Sequence, residues 1–160
     1  MYTKDFDIRW SDIDANRHLA NSAYQNFMSH TRMAFLIAYG FGHKEMANFE
    51  IGPVIFYEHI YYYREAFQGK PITVSLELTG LSEDGAFFEF THNFYDYKGR
   101  NLAYCEMMGA WMNLRDRKIN PLPSSVKGII AAFPKAENFR ILTKEDTRKH
   151  GKKPKDIAMS

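Results

Sequence analysis

The chain has 160 residues, a formal net charge of +2 and an aromatic content of 16%. That length suits one domain able to bury its own core, and the near-neutral balance supplies no field to gather nucleic acid. A single cysteine, Cys105, excludes an internal disulfide. The opening residues MYTKDFDIRW lack the apolar stretch of a signal peptide, and no apolar run reaches the ~20 residues that span a bilayer. The expectation is a cytoplasmic protein without membrane insertion.

In chain order, residues 4–10 alternate polar and apolar, with Phe6, Ile8 and Trp10 on one face, which predicts a strand. A polar loop follows. From Asn21 the period lengthens. Tyr24, Phe27, Met28, Thr31, Phe35 and Ala38 share one face of a helix that Asn21 or Ser22 can cap and that Gly40 and Gly42 end. Flanking apolar residues make this helix, 21–39, largely buried, with a short helical turn or two at 43–49. From Pro53 to Leu114 the pattern is strand, clearest at 71–79, where Ile72, Val74, Leu76 and Leu78 alternate with Thr73, Ser75, Glu77 and Thr79. The connections Ser82–Gly85 and Tyr97–Arg100 are too short for crossover helices, so the sheet is antiparallel. Its apolar face must be covered, and the helix at 21–39 is the available cover. The predicted fold is α+β, an antiparallel sheet of about five strands wrapped around one long central helix. Residues 1–135 form the domain, closed by Pro121, Pro123 and a short helix over 126–133. Residues 136–160 hold seven Lys/Arg against four Asp/Glu and few apolar anchors. They are expected to be a basic tail, mobile or docked on a partner subunit.

The loop Asp12-Ile13-Asp14-Ala15-Asn16-Arg17-His18 puts two carboxylates, an amide and an imidazole just before the helix N-terminus. Unpaired N–H groups there stabilise a developing oxyanion. A carboxylate can activate water or attack a carbonyl, and an imidazole can hold that water or protonate a leaving thiolate. The same residues also suit a plain Asx-type turn with His18 packed beside it. Six histidines without HExxH or similar spacing give no metal site. No Gly-rich nucleotide motif is present, so no cofactor is expected.

The stretch from Arg9 to Tyr24 (RWSDIDANRHLANSAY) resembles the signature of hotdog-fold acyl-CoA thioesterases. The Asp14-x-Asn16-x-His18 spacing resembles the plant acyl-acyl-carrier-protein thioesterases in particular. Gly52-Pro53-Val54, Gly69-Lys70 and Asp116-Arg117-Lys118 with Pro121-Leu122-Pro123 extend the likeness over about residues 4–123. The resemblance implies a homodimer or tetramer with an acyl tunnel between subunits. It implies Asp14 as base or nucleophile, Asn16 and His18 as positioning groups, and the N–H of Asn21 as the carbonyl's polariser. Arg17, Tyr24, Glu58 and Glu65 are further candidates for substrate binding, with either glutamate able to supply a second carboxylate. Two departures stand out: Arg17 replaces the family's glycine, and Ala20 the first of two asparagines. The implied activity is hydrolysis of acyl-CoA or acyl-acyl-carrier-protein. The alternatives are a hydratase or dehydratase of acyl thioesters, and a non-catalytic hotdog domain that binds them.

Overall fold

A computed structural model of the chain describes residues 1–159. Its elements are β1 (Tyr2–Phe6), a 3-10 turn (Trp10–Asp12), α1 (Asn21–Ala38), α2 (His43–Phe49), β2 (Ile51–Tyr62), β3 (Ile72–Ser82), β4 (Phe87–Asp96), β5 (Asn101–Asn113), α3 (Ser124–Ala131), β6 (Lys135–Leu142) and a second 3-10 turn (Lys144–Arg148). Hydrogen bonding orders the sheet β1-β3-β4-β5-β2, with β6 also paired to β3. The β3–β4 and β4–β5 hairpins turn at Gly85 (φ 76°) and Gly99 (φ 75°), as the sequence predicts.

The cleanest alternation in the sequence becomes the middle of the sheet. Val74, Leu76 and Leu78 of β3 join Phe88, Phe90 and Phe94 of β4 and Ala103, Cys105 and Met107 of β5 in the core. α1 packs there through Ala23, Tyr24, Phe27, Met28, Thr31, Phe35 and Leu36. Its opposite face, including Gln25, Asn26, Ser29 and Ile37, is exposed. The helix is therefore buried along one stripe and not largely buried as expected, because this single sheet covers only one side of it.

Two further expectations are corrected. The first strand stops at Phe6, and Trp10 is 80% exposed. Asp12 takes over at this point. Its carboxylate accepts hydrogen bonds from the Arg9 backbone N–H (2.9 Å), Nε (3.1 Å) and Nη2 (2.9 Å), and this clasp turns the chain away from the sheet. The second correction concerns the tail. Lys135–Leu142 forms β6, which runs parallel to β3, so the sheet has six strands and one parallel pair. The sequence boundary at 135/136 falls inside this arrangement. Leu142 is buried, and Arg140 bonds both Glu89 (2.8 Å) and Asp146 (2.7 Å). Lys149 reaches Glu106 at 2.8 Å, and the His150 ring meets Tyr57 and His59 edge-on. Down to His150 the segment is thus docked on its own sheet. Long-range charge pairs anchor it together with the buried Leu142.

Candidate active site

The loop before α1 owes its shape to local bonds. The Asp14 N–H donates to the His18 carbonyl at 3.0 Å, and Ile13 and Leu19 form an isolated antiparallel bridge. Asp14 and His18 therefore face each other across a small ladder. The Asn16 N–H donates to Asp14 Oδ1 at 2.8 Å, which is the Asx turn read from the sequence. Arg17, its N–H bonded to the Asp14 carbonyl at 3.0 Å, sits at φ 68°. The loop takes the left-handed conformation that the family's glycine suits, with an arginine in that place.

Asp12 has a structural role here. It is buried, and the Arg9 hydrogen bonds and charge hold its carboxyl below the usual carboxylate range. Its backbone carbonyl accepts the Ala20 N–H at 2.8 Å and so sets the start of α1. Ala20 occupies the N-cap position and supplies no side-chain cap. The N–H groups of Asn21 and Ser22 in the first turn are left available to a ligand.

The second half of the site comes from the end of β2. Register pairs Glu58 with Met107, Ile60 with Cys105 and Tyr62 with Ala103, which puts these three on the helix-facing side. Beyond the strand, the Tyr63 and Arg64 N–H groups both donate to the Leu102 carbonyl (2.8 and 3.1 Å), and the chain turns. The Leu19 N–H then donates to the Ala66 carbonyl at 2.7 Å, tying this turn to the loop before α1. That bond brings Glu65 beside His18.

Asp14, His18, Leu19, Asn21, Tyr24, Tyr62, Tyr63, Arg64 and Glu65 line one cavity of about 410 Å³. His18 Nδ1 lies 3.6 Å from Asp14 Oδ2, and its Nε2 lies 3.6 Å from Glu65 Oε1. One imidazole thus stands between two carboxylates in front of an open helix N-terminus. Tyr24 and Tyr62 meet edge to face, 5.1 Å between ring centres, and burial pushes the Tyr24 hydroxyl up to about 12. Tyr24 stays neutral and serves as a wall.

Of the residues singled out from sequence, Asp14, His18, Asn21, Tyr24 and Glu65 come together in this cavity. Asn16 does not line it and is exposed, with its backbone engaged in the Asx turn. Glu58 lies elsewhere: Arg32 holds it at 3.4 Å and Gln25 Nε2 donates to it at 3.2 Å. Arg17 lines a neighbouring cavity. Leu19, Tyr62, Tyr63 and Arg64 were not singled out as site residues. The run Tyr61-Tyr62-Tyr63 is a partial signal for two of them, but the turn after Tyr62 depends on Leu102 and on the bond of Ala66 to Leu19, both far away in sequence.

A sheet of this order packed on α1 defines a hotdog fold of the α+β class. Residues 8–130 match the thioesterase-like superfamily, and the chain belongs to it. This bears out the resemblance carried by Arg9–Tyr24 and the enzyme class it implied. Solved structures agree at the level of fold. A Staphylococcus aureus protein in complex with CoA is 22% identical, covers 99% of this chain and 95% of its own, and superposes with a TM-score of 0.76. A 1,4-dihydroxy-2-naphthoyl-CoA thioesterase from Synechocystis is 15% identical over 82% of this chain and 96% of its own, TM-score 0.71. A probable thioesterase from Escherichia coli is 17% identical over 84% of this chain and all of its own, TM-score 0.70. No curated protein matches the chain in sequence. Among the described residues no helix is long and apolar enough to cross a membrane.

Proposed function

We propose that the protein hydrolyses acyl-CoA thioesters, with Asp14 as the reacting carboxylate. The observation that carries this reading is the row Glu65–His18–Asp14, which borders one cavity with the first turn of α1. A thioester carbonyl with its oxygen toward the N–H of Asn21 gains stabilisation as the oxyanion develops. Asp14 then attacks the carbonyl carbon or takes a proton from the attacking water. His18, between two carboxylates, is placed to carry a proton to the departing thiolate, and Glu65 keeps the ring oriented. Glu65 serves as the second carboxylate that the sequence left open between Glu58 and Glu65. Tyr24, Tyr62 and Leu19 supply a mostly apolar wall for the acyl group.

Coenzyme A as carrier is supported by the S. aureus neighbour, solved with CoA, and by the Synechocystis neighbour, named for a CoA thioester. An acyl carrier protein presents the same thioester and remains the second carrier to test. The deciding experiment is free-thiol release from short, long and aromatic acyl-CoAs and from an acyl-carrier-protein thioester, wild type against Asp14→Asn. Hydrolysis of at least one acyl-CoA that the variant loses supports the reading. Thioester binding without thiol release would favour the non-catalytic alternative, and consumption of an enoyl thioester without thiol release the hydratase.

A further inference from the structure

A group of polar side chains lies between α1 and β2, and the hydrolysis described above does not use it. Glu58 of β2 accepts a hydrogen bond from Gln25 Nε2 at 3.2 Å and meets Arg32 Nη1 at 3.4 Å. The same Nη1 lies 3.4 Å from His92 Nε2. Both contacts of Arg32 are long, and its Nε and Nη2 have no hydrogen-bond partner among the described residues. Burial pulls the guanidinium below its ordinary value by more than the Glu58 charge restores. A buried arginine usually grips its carboxylate with two parallel N–H groups. Here half of that fork is unused. The Arg32 and Glu58 side chains are 12% and 13% exposed, so a narrow opening still reaches them.

The group continues the wall of the active-site cavity. Tyr24 and Tyr62 meet on that wall. Gln25 follows Tyr24 in α1, and Glu58 precedes Tyr62 by four residues on the same face of β2. Burial, then the charges of Cys105 and Glu58, raise the Tyr62 hydroxyl, so Tyr62 stands within electrostatic reach of the group. The level of Gln25 is about 6 Å along the axis from the first residue of α1, and Glu58 is about 13 Å along the strand from Tyr62. We infer that Gln25, Arg32 and Glu58 form the far end of the acyl pocket and select an acyl group of medium length that carries a hydroxyl there. The inference rests on the thioester reading and deepens it. Arg32 and Glu58 cancel in charge. Burial keeps their neighbours neutral, holding the Cys105 thiol up at about 12 and the His92 ring down at about 3. A neutral ligand group therefore fits. A hydroxyl accepts from the unused N–H groups of Arg32 and donates to Glu58 in the same place. A carboxylate would face Glu58 with like charge. A methyl would expel water from the Arg32 donors and leave them unpaired.

The test measures kcat/KM on paired CoA thioesters: hexanoyl, octanoyl and decanoyl, each with and without a terminal hydroxyl, and cinnamoyl against 4-hydroxycinnamoyl. The pairs separate a hydroxyl on a chain from one on a ring. In at least one pair the wild type is expected to prefer the hydroxylated member by about tenfold or more, the size of one hydrogen bond to a charged group. The double variant Arg32→Met with Glu58→Leu replaces both charges by apolar side chains, which buried pairs tolerate. It is expected to turn the preference toward the unsubstituted acyl group. Glu58→Gln leaves Arg32 its contact with His92 and is expected to lose part of the ratio. Melting curves check that both variants are folded. In parallel, calorimetry compares S-octyl-CoA with S-(8-hydroxyoctyl)-CoA, thioethers that cannot be hydrolysed. Tighter binding of the hydroxylated thioether without thiol release from any thioester would keep the pocket and sink the proposed reaction. Equal kcat/KM within every pair together with equal Kd overturns the inference even if hydrolysis is confirmed. So does a hydroxyl preference that survives unchanged in the folded double variant.

Discussion

Asp14 is held by bonds that a neutral isostere retains in part: its Oδ1 accepts the Asn16 N–H, and its backbone closes the ladder with His18. Asp14→Asn therefore changes chemistry far more than structure. The expected outcome is a loss of at least ~100-fold in the chemical step, with the melting temperature moved by only a few degrees. Single-turnover kinetics and calorimetry on the same variant check the two halves; a wild-type rate would remove Asp14 from the mechanism. This pairing was legible in the sequence because it is local. Asp14 and His18 are four residues apart, and the Asx turn between them follows from residue types alone. The consequence of Arg17 was not legible. The sequence showed that a glycine was missing but not that the loop would adopt φ 68° regardless. A non-glycine residue there costs about 1 kcal/mol, which the ladder and the Ala20–Asp12 bond absorb.

Between elements, the interface of α1 with the sheet holds a buried polar cluster that alternation alone hides. His92 of β4 is fully buried, its Nδ1 2.8 Å from the Ser75 carbonyl and its Nε2 3.4 Å from Arg32 Nη1. A carbonyl only accepts and a guanidinium only donates, so the ring is neutral with its proton on Nδ1. Burial first, and the Arg32 charge second, push His92 down to about 3 against the raising effect of the Ser75 carbonyl. In the unfolded chain the ring titrates near 6.5. Between those two values the unfolded state binds a proton that the folded state refuses, so stability falls as pH drops through that window. Urea unfolding at pH 6 and pH 5 is expected to show a loss about 1 kcal/mol larger in wild type than in His92→Gln. Equal losses would mean that His92 is protonated in the fold. Nothing local in the sequence marks this residue, because Arg32 of the helix, which lies above it, is 60 positions away.

β6 and the turn after it carry a related lesson. Few apolar residues beyond Lys135 argued for a loose tail, yet Leu142 packs so closely on β3 that a Cβ at Gly80 would meet its Cδ2 at 2.7 Å. Glu89, nearly buried, has Arg140 as its ion-pair partner. Truncation after Lys135 would expose the Leu142 contact, worth about 2 kcal/mol. It would also strand the Glu89 charge, at about 3 kcal/mol or more. The melting temperature is expected to fall by roughly 10 °C or more. An unchanged value would return the segment to the status of a solvated tail. The anchors escaped the sequence because ion pairs such as Arg140–Glu89 and Lys149–Glu106 link residues more than forty positions apart.

At the scale of the whole molecule, the two faces and the two edges of the sheet are unequally covered. α1 occupies one face, and the segment from β6 to His150 lies over part of the other, neutralising Glu89 and Glu106. β3 is paired along its outer side by β1 and β6. β2 is left as an end strand with one side unpaired, and Ile55, Phe56 and Tyr61 on it are about half exposed, as is Tyr63 just beyond it. A long, aromatic, unpaired edge invites another strand, and a second copy of β2 can supply it by a twofold axis. Such pairing would cover the exposed rings and bring the partner up to Tyr63, Arg64 and Glu65 at the rim of the proposed active site. The protein is therefore expected to be at least a dimer, with a mass of twice 18.7 kDa or more by light scattering at micromolar concentration. Tyr61→Glu, which places a charge near the C-terminal end of that edge and touches no residue of the reacting loop, is expected to shift the population toward monomer. Because the partner would border the cavity, kcat/KM is expected to fall in step with the monomer fraction and to recover as protein concentration rises. A wild-type protein that is monomeric at those concentrations and fully active would show that the β2 edge stands open and that one chain completes the site.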